Sequence, residues 1–231
     1  MCGRYASDIA IDDMMRLFGA QPGTAYDWTR TYSVAPSTRA PVVREWHVEG
    51  ELHRDVDDAR WGLRPAWAKE GGPRPINARL ETAATNGMFR SSFAKQRCLV
   101  PMTGYFEWEA TPSGKQPHYI HGDGPLAAAG LYAARKDDAS GEWSLTFTII
   151  TREARDASGE VHDRMPAFVQ PDLWDDWLRP GALDDTGAMV EALTASSEQV
   201  AATMTTYRVD RKVNSTQKAD PYDPSLVAPI D

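Results

Sequence analysis

Near its start the chain carries a helical pattern. Ile11, Met14, Met15 and Phe18 fall at i, i+3, i+4 and i+7, on one face of a 3.6-residue helix, with Asp8 placed to cap it and Gly19 to stop it. Over residues 32–60 the period shifts to short alternating stretches such as Val42-Val43-Arg44-Glu45-Trp46-His47-Val48, broken by Pro36, Pro41 and Gly50. These predict strands and turns, with a hairpin through Glu49-Gly50. Helical spacing returns over 80–95, but Gly87 interrupts it, which predicts one broken helix or two short ones. Residues 98–102, 105–110, 118–121, 126–133 and 143–151 are each β-rich or apolar and are separated by Gly, Pro or Asp-Gly turns. Residues 171–178 read as a helix with proline in its first turn, 186–195 as another, and about 220–231, with three prolines, as an extended arm. No internal repeat or linker divides the chain, so the pattern predicts one α+β domain over 1–231 with a β-rich core.

Length supports that reading, since 231 residues suit one sizeable core. The first twenty residues include Arg4, Asp8, Asp12, Asp13 and Arg16 without a continuous apolar block, and the longest weakly apolar run, 126–134, ends at Arg135. Neither a secretory signal nor a membrane span is expected. With two cysteines, Cys2 and Cys98, and no C-x-x-C pair, neither a disulfide framework nor a structural zinc is expected, and a reducing cytoplasmic setting fits. The net charge of -8 argues at first sight against a nucleic-acid partner. Locally the balance differs. Residues 60–98 hold eight Lys or Arg and two acids, whereas 172–198 hold seven acids and Arg179. A polarised molecule with a cationic face is expected, whose grip on a phosphate backbone is salt-dependent.

Cys2 is the most informative single residue. Removal of Met1 would leave an α-amine and a thiol on adjacent carbons, a 1,2-aminothiol. An amine with a pKa of roughly 7.7 to 8.0 is partly neutral at cellular pH and attacks an aldehyde to give an imine, onto which the thiol closes as a thiazolidine. The plain alternative is that position 2 only suits methionine removal. Three segments bear on the choice, 75–82, 104–109 and 161–166, and each has a plain reading too: Asn77 as a helix cap, Glu107 as a solvent-facing strand residue, His162 as a surface histidine. If 105–109 is a strand, Glu107 shares a polar face with Tyr105 and Glu109, while Phe106 and Trp108 face the other way. His118 and His121 would lie on opposite faces of a strand, and Pro117 with Gly122 suggests a turn there, so no metal site is expected. Cys98 sits in an apolar run and should be buried, as should more than half of the eight tryptophans.

In order, Met1-Cys2-Gly3-Arg4-Tyr5, Ser33-Val34-Ala35-Pro36, Arg60-Trp61-Gly62-Leu63-Arg64-Pro65-Ala66-Trp67, Asn77-Ala78-Arg79-Leu80-Glu81-Thr82, Arg97-Cys98-Leu99-Val100-Pro101, Gly104-Tyr105-Phe106-Glu107-Trp108, His162-Asp163-Arg164-Met165-Pro166 and Val213-Asn214-Ser215 resemble the signatures of the SRAP (SOS response-associated peptidase) family of abasic-site-processing proteins. The resemblance implies a single domain with a β-rich, barrel-like core and peripheral helices, acting without a cofactor and as a monomer. It implies binding of single-stranded DNA containing abasic sites and a covalent crosslink through Cys2 that shields the lesion. By motif matching, Cys2 is the nucleophile, Asn77 and Glu107 orient and exchange protons with its amine, and His162 assists opening of the deoxyribose ring, with Glu107 and His162 serving reversal as well. Arg4, Arg79, Arg90 and Arg164 match the basic DNA-contact positions, and Trp67 and Trp108 the aromatic ones. Removal of Met1 by self-cleavage is implied by the family name. Three positions depart from the usual pattern: Ser33 replaces an asparagine, Arg64 an aliphatic residue, and Tyr105-Phe106 the order Phe-Tyr. Two other readings share these residues: an N-terminal-cysteine peptidase acting on peptide bonds, and a single-strand-binding module in which Cys2 is incidental.

Overall fold

The computed structural model describes residues 2–136 and 141–230. In chain order its elements are β1 (Tyr5–Ser7), α1 (Ile11–Phe18), β2 (Gln21–Pro22), β3 (Thr31–Val34), β4 (Arg39–Val48), β5 (Glu51–Trp61), β6 (Asn77–Arg79), α2 (Leu80–Ala83) and α3 (Arg90–Lys95). There follow β7 (Arg97–Met102), β8 (Gly104–Thr111), β9 (Gly114–His121), β10 (Leu126–Lys136), β11 (Trp143–Glu153), β12 (Arg164–Pro166), α4 (Trp174–Leu178), α5 (Thr186–Ala201) and β13 (Thr205–Arg208).

Five strands close on themselves. β11, β10, β7, β4 and β5 pair antiparallel in that order, and β5 returns to β11 in parallel through Arg60↔Thr146 and Trp61↔Phe147. Closure removes the open edges that a five-stranded sheet would otherwise expose. The barrel strands are covered on both faces. Val43, Leu99, Ala129 and Ile150 pack with Phe18, Phe93 and Trp177 from the helices, while Val42, Cys98, Ala128 and Ile149 pack with Cys2, Tyr5 and Tyr105. Two-sided burial explains why β7 and β10 read as nearly continuous apolar runs instead of alternating.

A second sheet, in the order β13-β9-β8-β1-β3, lies against the barrel. Its Tyr5 and Tyr105 face the barrel, and its Ala6, Phe106 and Tyr119 pack with Val209, Val213 and Leu226 of the C-terminal segment. That segment runs through turns and a 3-10 turn, Pro224–Leu226, and does not project. Pro221 O accepts from Tyr32 N–H and Thr31 Oγ1, both at 2.8 Å, and Leu226 is fully buried, so the chain end is strapped across the small sheet.

The helix over Ile11–Phe18 forms with Met14 and Phe18 inward, and Gly19 at φ 59 ends it. Asp8 does not cap it: Ala10 occupies the cap position without a side-chain bond, and the Asp8 carboxylate lies 3.7 Å from Arg30 Nε. The β4–β5 hairpin turns through Glu49 at φ 50 and Gly50 at φ 90, the two positive values that a two-residue turn between twisted strands requires. Residues 80–95 form two short helices, α2 and α3. The proline-led helix starts as a 3-10 turn, Pro171–Leu173, before α4, and α5 runs to Ala201, beyond the predicted 195, with Asp185 capping Gly187 and Ala188 N–H at 2.8 and 3.0 Å. His118 and His121 both lie within β9, so no turn occurs at His118. Of the tryptophans only Trp61 and Trp177 are fully buried; most of the others sit at the rim, where the indole N–H finds a polar partner, as Trp174 does on Val169 O at 2.9 Å. No helix of the described residues is long and apolar enough to cross a membrane.

β8 approaches β9 so closely at Gly104 that a Cβ there would stand 2.6 Å from Tyr119 Oη and 2.7 Å from Ile120 O. Because a backbone oxygen cannot step aside, Gly104→Ala should destabilise the fold by about 2 kcal/mol, measured as an earlier urea midpoint with unchanged slope.

Candidate active site

Cys2 directly precedes β1, and β1 is pinned to β8 through Tyr5↔Tyr105 and a 3.0 Å bond from Phe106 N–H to Arg4 O. The pairing carries Cys2 into the interior, where it is fully buried. On the other side, β6 pairs with β11 in parallel, Asn77↔Ile149, which sets Asn77 at the start of its strand facing the same pocket. Asn77 Nδ2 donates to Cys2 O at 2.8 Å, and Asn77 Oδ1 is buried without a hydrogen-bond partner among the described residues.

Glu107 comes from β8, two residues beyond Tyr105, and is only 2% exposed. The period-2 alternation holds, since Tyr105 and Phe106 pack into different cores, but the Glu107 face is interior and not a polar surface. Burial pushes the Glu107 carboxyl up to about 7, with the positive charge of the chain terminus acting against it. The Cys2 thiol is pushed far above its ordinary range, first by burial and then by Glu107, so it is held as a neutral thiol. Tyr105 and Ser158 complete the wall. Tyr105 Oη donates to Ser158 Oγ at 2.6 Å, and Ser158 O accepts His162 N–H at 3.2 Å, which ties the His162 loop to the strand that carries Glu107.

His162 is half-buried, and burial lowers its pKa. Its Nδ1 lies 3.0 Å from Arg164 N–H and 2.8 Å from an Asp163 carboxylate oxygen. One nitrogen lone pair cannot accept the first and simultaneously donate to the second. The Asp163 side chain is 85% exposed and competes with water, whereas the backbone donor is fixed, so the hydrogen-bond pattern assigns the ring proton to Nε2.

The positions expected to touch DNA divide into two groups. Trp67 is 63% exposed, and Arg79 and Arg90 are also open to solvent. Arg4 is instead interior, with Nη1 donating to Ser33 Oγ at 2.9 Å and to Val213 O at 3.1 Å; Ser33, the departure from the usual asparagine, is thereby the residue that holds it. Arg164 spends its fork on Glu81, at 2.6 and 3.0 Å, and on Thr151 O at 2.7 Å. Trp108 is half-buried, and its indole N–H donates to Asn214 Oδ1 at 2.7 Å. The Val213-Asn214 pair near the chain end therefore buttresses Arg4 and Trp108. Tyr105 had a sequence signal, its shared strand face with Glu107; Ser158 had none, because only the fold brings it there. Cys98 is fully buried, as expected.

A carboxyl whose pKa is raised by burial binds its proton more tightly in the folded than in the unfolded chain, so its contribution weakens stability as pH rises from about 4.5 toward 7. Glu107→Gln removes the charge and keeps the shape. Its thermal midpoint should exceed that of the wild type at pH 8, and the two should converge at pH 5; calorimetry at both pH values checks this.

Comparisons with known proteins place the chain in a family and a fold. The family model described as SOS response associated peptidase (SRAP) matches residues 1–216. Abasic site processing protein YoqW of Bacillus subtilis is 30% identical over 227 residues, covering 96% of this chain and 97% of that protein. Abasic site processing protein YedK of Escherichia coli is 32% identical over 188 residues, covering 78% and 80%. Among solved structures, a protein from Bacteroides thetaiotaomicron superposes with a TM-score of 0.80 at 25% identity, covering 99% of this chain and all of that one. A phage-related protein of Bordetella bronchiseptica gives a TM-score of 0.68 at 28% identity, covering 91% and 95%. With a family model spanning nearly the whole chain, relatives at this identity and one shared fold, this chain belongs to the SRAP family.

Proposed function

We propose that this protein processes abasic sites in single-stranded DNA by capturing the ring-opened deoxyribose on Cys2 once Met1 has been removed. The observation that carries the reading is the Asn77 amide: its nitrogen holds the Cys2 carbonyl at 2.8 Å, and its buried oxygen, without a partner among the described residues, leaves an acceptor available beside Cys2. A second support is the pKa pattern. The thiol is neutral, so the amine attacks first: nitrogen bonds to the aldehyde carbon, water leaves, and an imine results. Sγ–H then adds across the carbon–nitrogen double bond, forming the sulfur–carbon bond and passing its proton to nitrogen. No oxidant is needed, and water is the sole leaving group.

Glu107, its carboxyl raised by burial, takes a proton from the ammonium and returns one during loss of water. His162 gives its Nε2 proton to the sugar ring oxygen while the proton released by the anomeric hydroxyl returns to the imidazole through water, so the ring opens and the imidazole ends neutral. Trp67, Arg79 and Arg90 supply stacking and phosphate contacts without base readout. The burial that holds the thiol neutral weighs against the peptidase reading, in which sulfur must attack a carbonyl as the first nucleophile. Cytoplasmic DNA is the setting this chemistry calls for.

A denaturing gel should show an adduct between the wild-type protein and abasic, but not intact, single-stranded DNA. Cys2→Ala should form none while keeping reversible binding; equal adduct yield from this variant refutes the thiazolidine route. Intact mass of the active protein should begin at Cys2. His162→Ala should slow adduct formation about 100-fold with little loss of affinity, measured by single-turnover kinetics and anisotropy, and a loss confined to affinity contradicts the acid role. Glu107→Gln should remove from the rate profile of the wild type the inflection of a carboxyl raised by burial.

A further inference from the structure

Beside the barrel seam lies a cleft of about 220 Å³ lined by Arg39, Arg60, Arg64, Arg74 and Arg135, with Ser144 and Thr146. Among the described residues no carboxylate lines it. Arg39 is paired with Asp58, but Arg60, Arg64, Arg74 and Arg135 make no ion pair among the described residues. The arrangement is costly without a ligand. Arg39 and Arg60 stand directly opposite each other in the β4–β5 register, where like charges repel. In a chain with 33 acidic residues, four guanidinium groups converging without a counter-charge among the described residues define a focused positive potential.

The cleft is tied to the Cys2 pocket and to an exposed ring. Arg74 precedes Asn77 by three residues, which limits their Cα separation to about 11 Å. The chain between them is held in place by bonds from Leu63 N–H to Pro75 O at 3.0 Å, Trp61 Nε1 to Ile76 O at 2.8 Å and Ile149 N–H to Ile76 O at 3.0 Å. Arg64 N–H donates to Thr146 Oγ1 at 2.9 Å, fixing the base of the loop. Arg135 Nη1 donates to Ala68 O at 3.0 Å, immediately after Trp67, so the same cluster props the loop that exposes that ring.

We propose that this arginine cleft is a phosphodiester-binding subsite that takes backbone phosphates of the single strand beside the captured lesion, with Trp67 receiving the neighbouring base. The inference rests on the abasic-site reading for the nature of the strand, and on the cleft itself for its place. Guanidinium forks match paired phosphate oxygens, and a base face on an exposed indole needs no sequence match. Phosphate in free form carries the same oxygens, so the test must separate the two sources.

The experiment measures reversible binding of an intact oligonucleotide at several salt concentrations. For single strands the log–log slope is about 0.7 per phosphate neutralised, so Arg60→Gln/Arg74→Gln should make the slope shallower by about 1.4. Arg60→Lys/Arg74→Lys should restore it, and Arg16→Gln, an exposed arginine on α1 paired with Asp13, should leave it at the wild-type value. Circular dichroism of each variant confirms that it is folded. An unchanged slope in the double glutamine variant overturns the proposal. So does a cleft that binds inorganic phosphate while the oligonucleotide slope ignores the substitutions. If the wild type shows the cleft-dependent slope but forms no adduct with abasic DNA, the crosslinking reading fails and the subsite stands; if the adduct forms and the slope does not respond, the reverse holds.

Discussion

Trp61 stands where three parts of the molecule meet, and their relative placement depends on its burial. It belongs to the short parallel pairing that closes β5 onto β11, stacks on Phe147 at 6.1 Å, and takes Tyr5 edge-on at 5.2 Å. Its indole N–H holds Ile76 O, one residue before Asn77. One side chain thus joins the barrel seam, the strand after Cys2 and the segment that carries Asn77. Truncating such a residue costs about 3–5 kcal/mol in general. Here the loss would also release the two segments whose contact defines the candidate site.

The site itself works against stability. A carboxyl and a thiol are taken out of water next to each other, and among the described residues the Asn77 amide leaves one acceptor unmet. Buried polar groups without partners are expensive, and they persist only where well-packed surroundings hold them. Those surroundings are present: Tyr5, Tyr105, Phe147 and Phe168 pack into one apolar cluster around Cys2. The packing that supplies stability therefore also supplies the low polarity that moves the two pKa values. Both effects come from excluding water, and a polar substitution in that cluster would weaken both together.

Charge is organised the opposite way on the outside. Several cationic side chains expected at the surface are spent on structure, Arg4 on Ser33 and Val213 and Arg164 on Glu81. Others converge at the seam cleft, where no carboxylate of the described residues joins them. A net charge of -8 conceals this division, because the acids of residues 172–198 cancel in the sum what the arginines of 60–98 concentrate in space.

Much of this was determined by the sequence alone. The apolar spacing of α1, the positive-φ pair Glu49-Gly50, the Gly87 break and the alternation through β8 are local, since helix and strand periods act within a few residues. The ordered motifs likewise marked Cys2, Asn77, Glu107 and His162. Tertiary structure alone decided the rest, because burial and partnership are not local quantities. Whether Glu107 faces water or an apolar wall depends on a barrel formed by strands distant in sequence, and that difference sets its proton affinity. Whether an arginine is free or engaged depends on Ser33, Val213 or Glu81 arriving from elsewhere in the chain. The arginine cleft is the clearest case: Arg39, Arg60, Arg74 and Arg135 are scattered along the sequence, and only barrel closure brings their charges to one place.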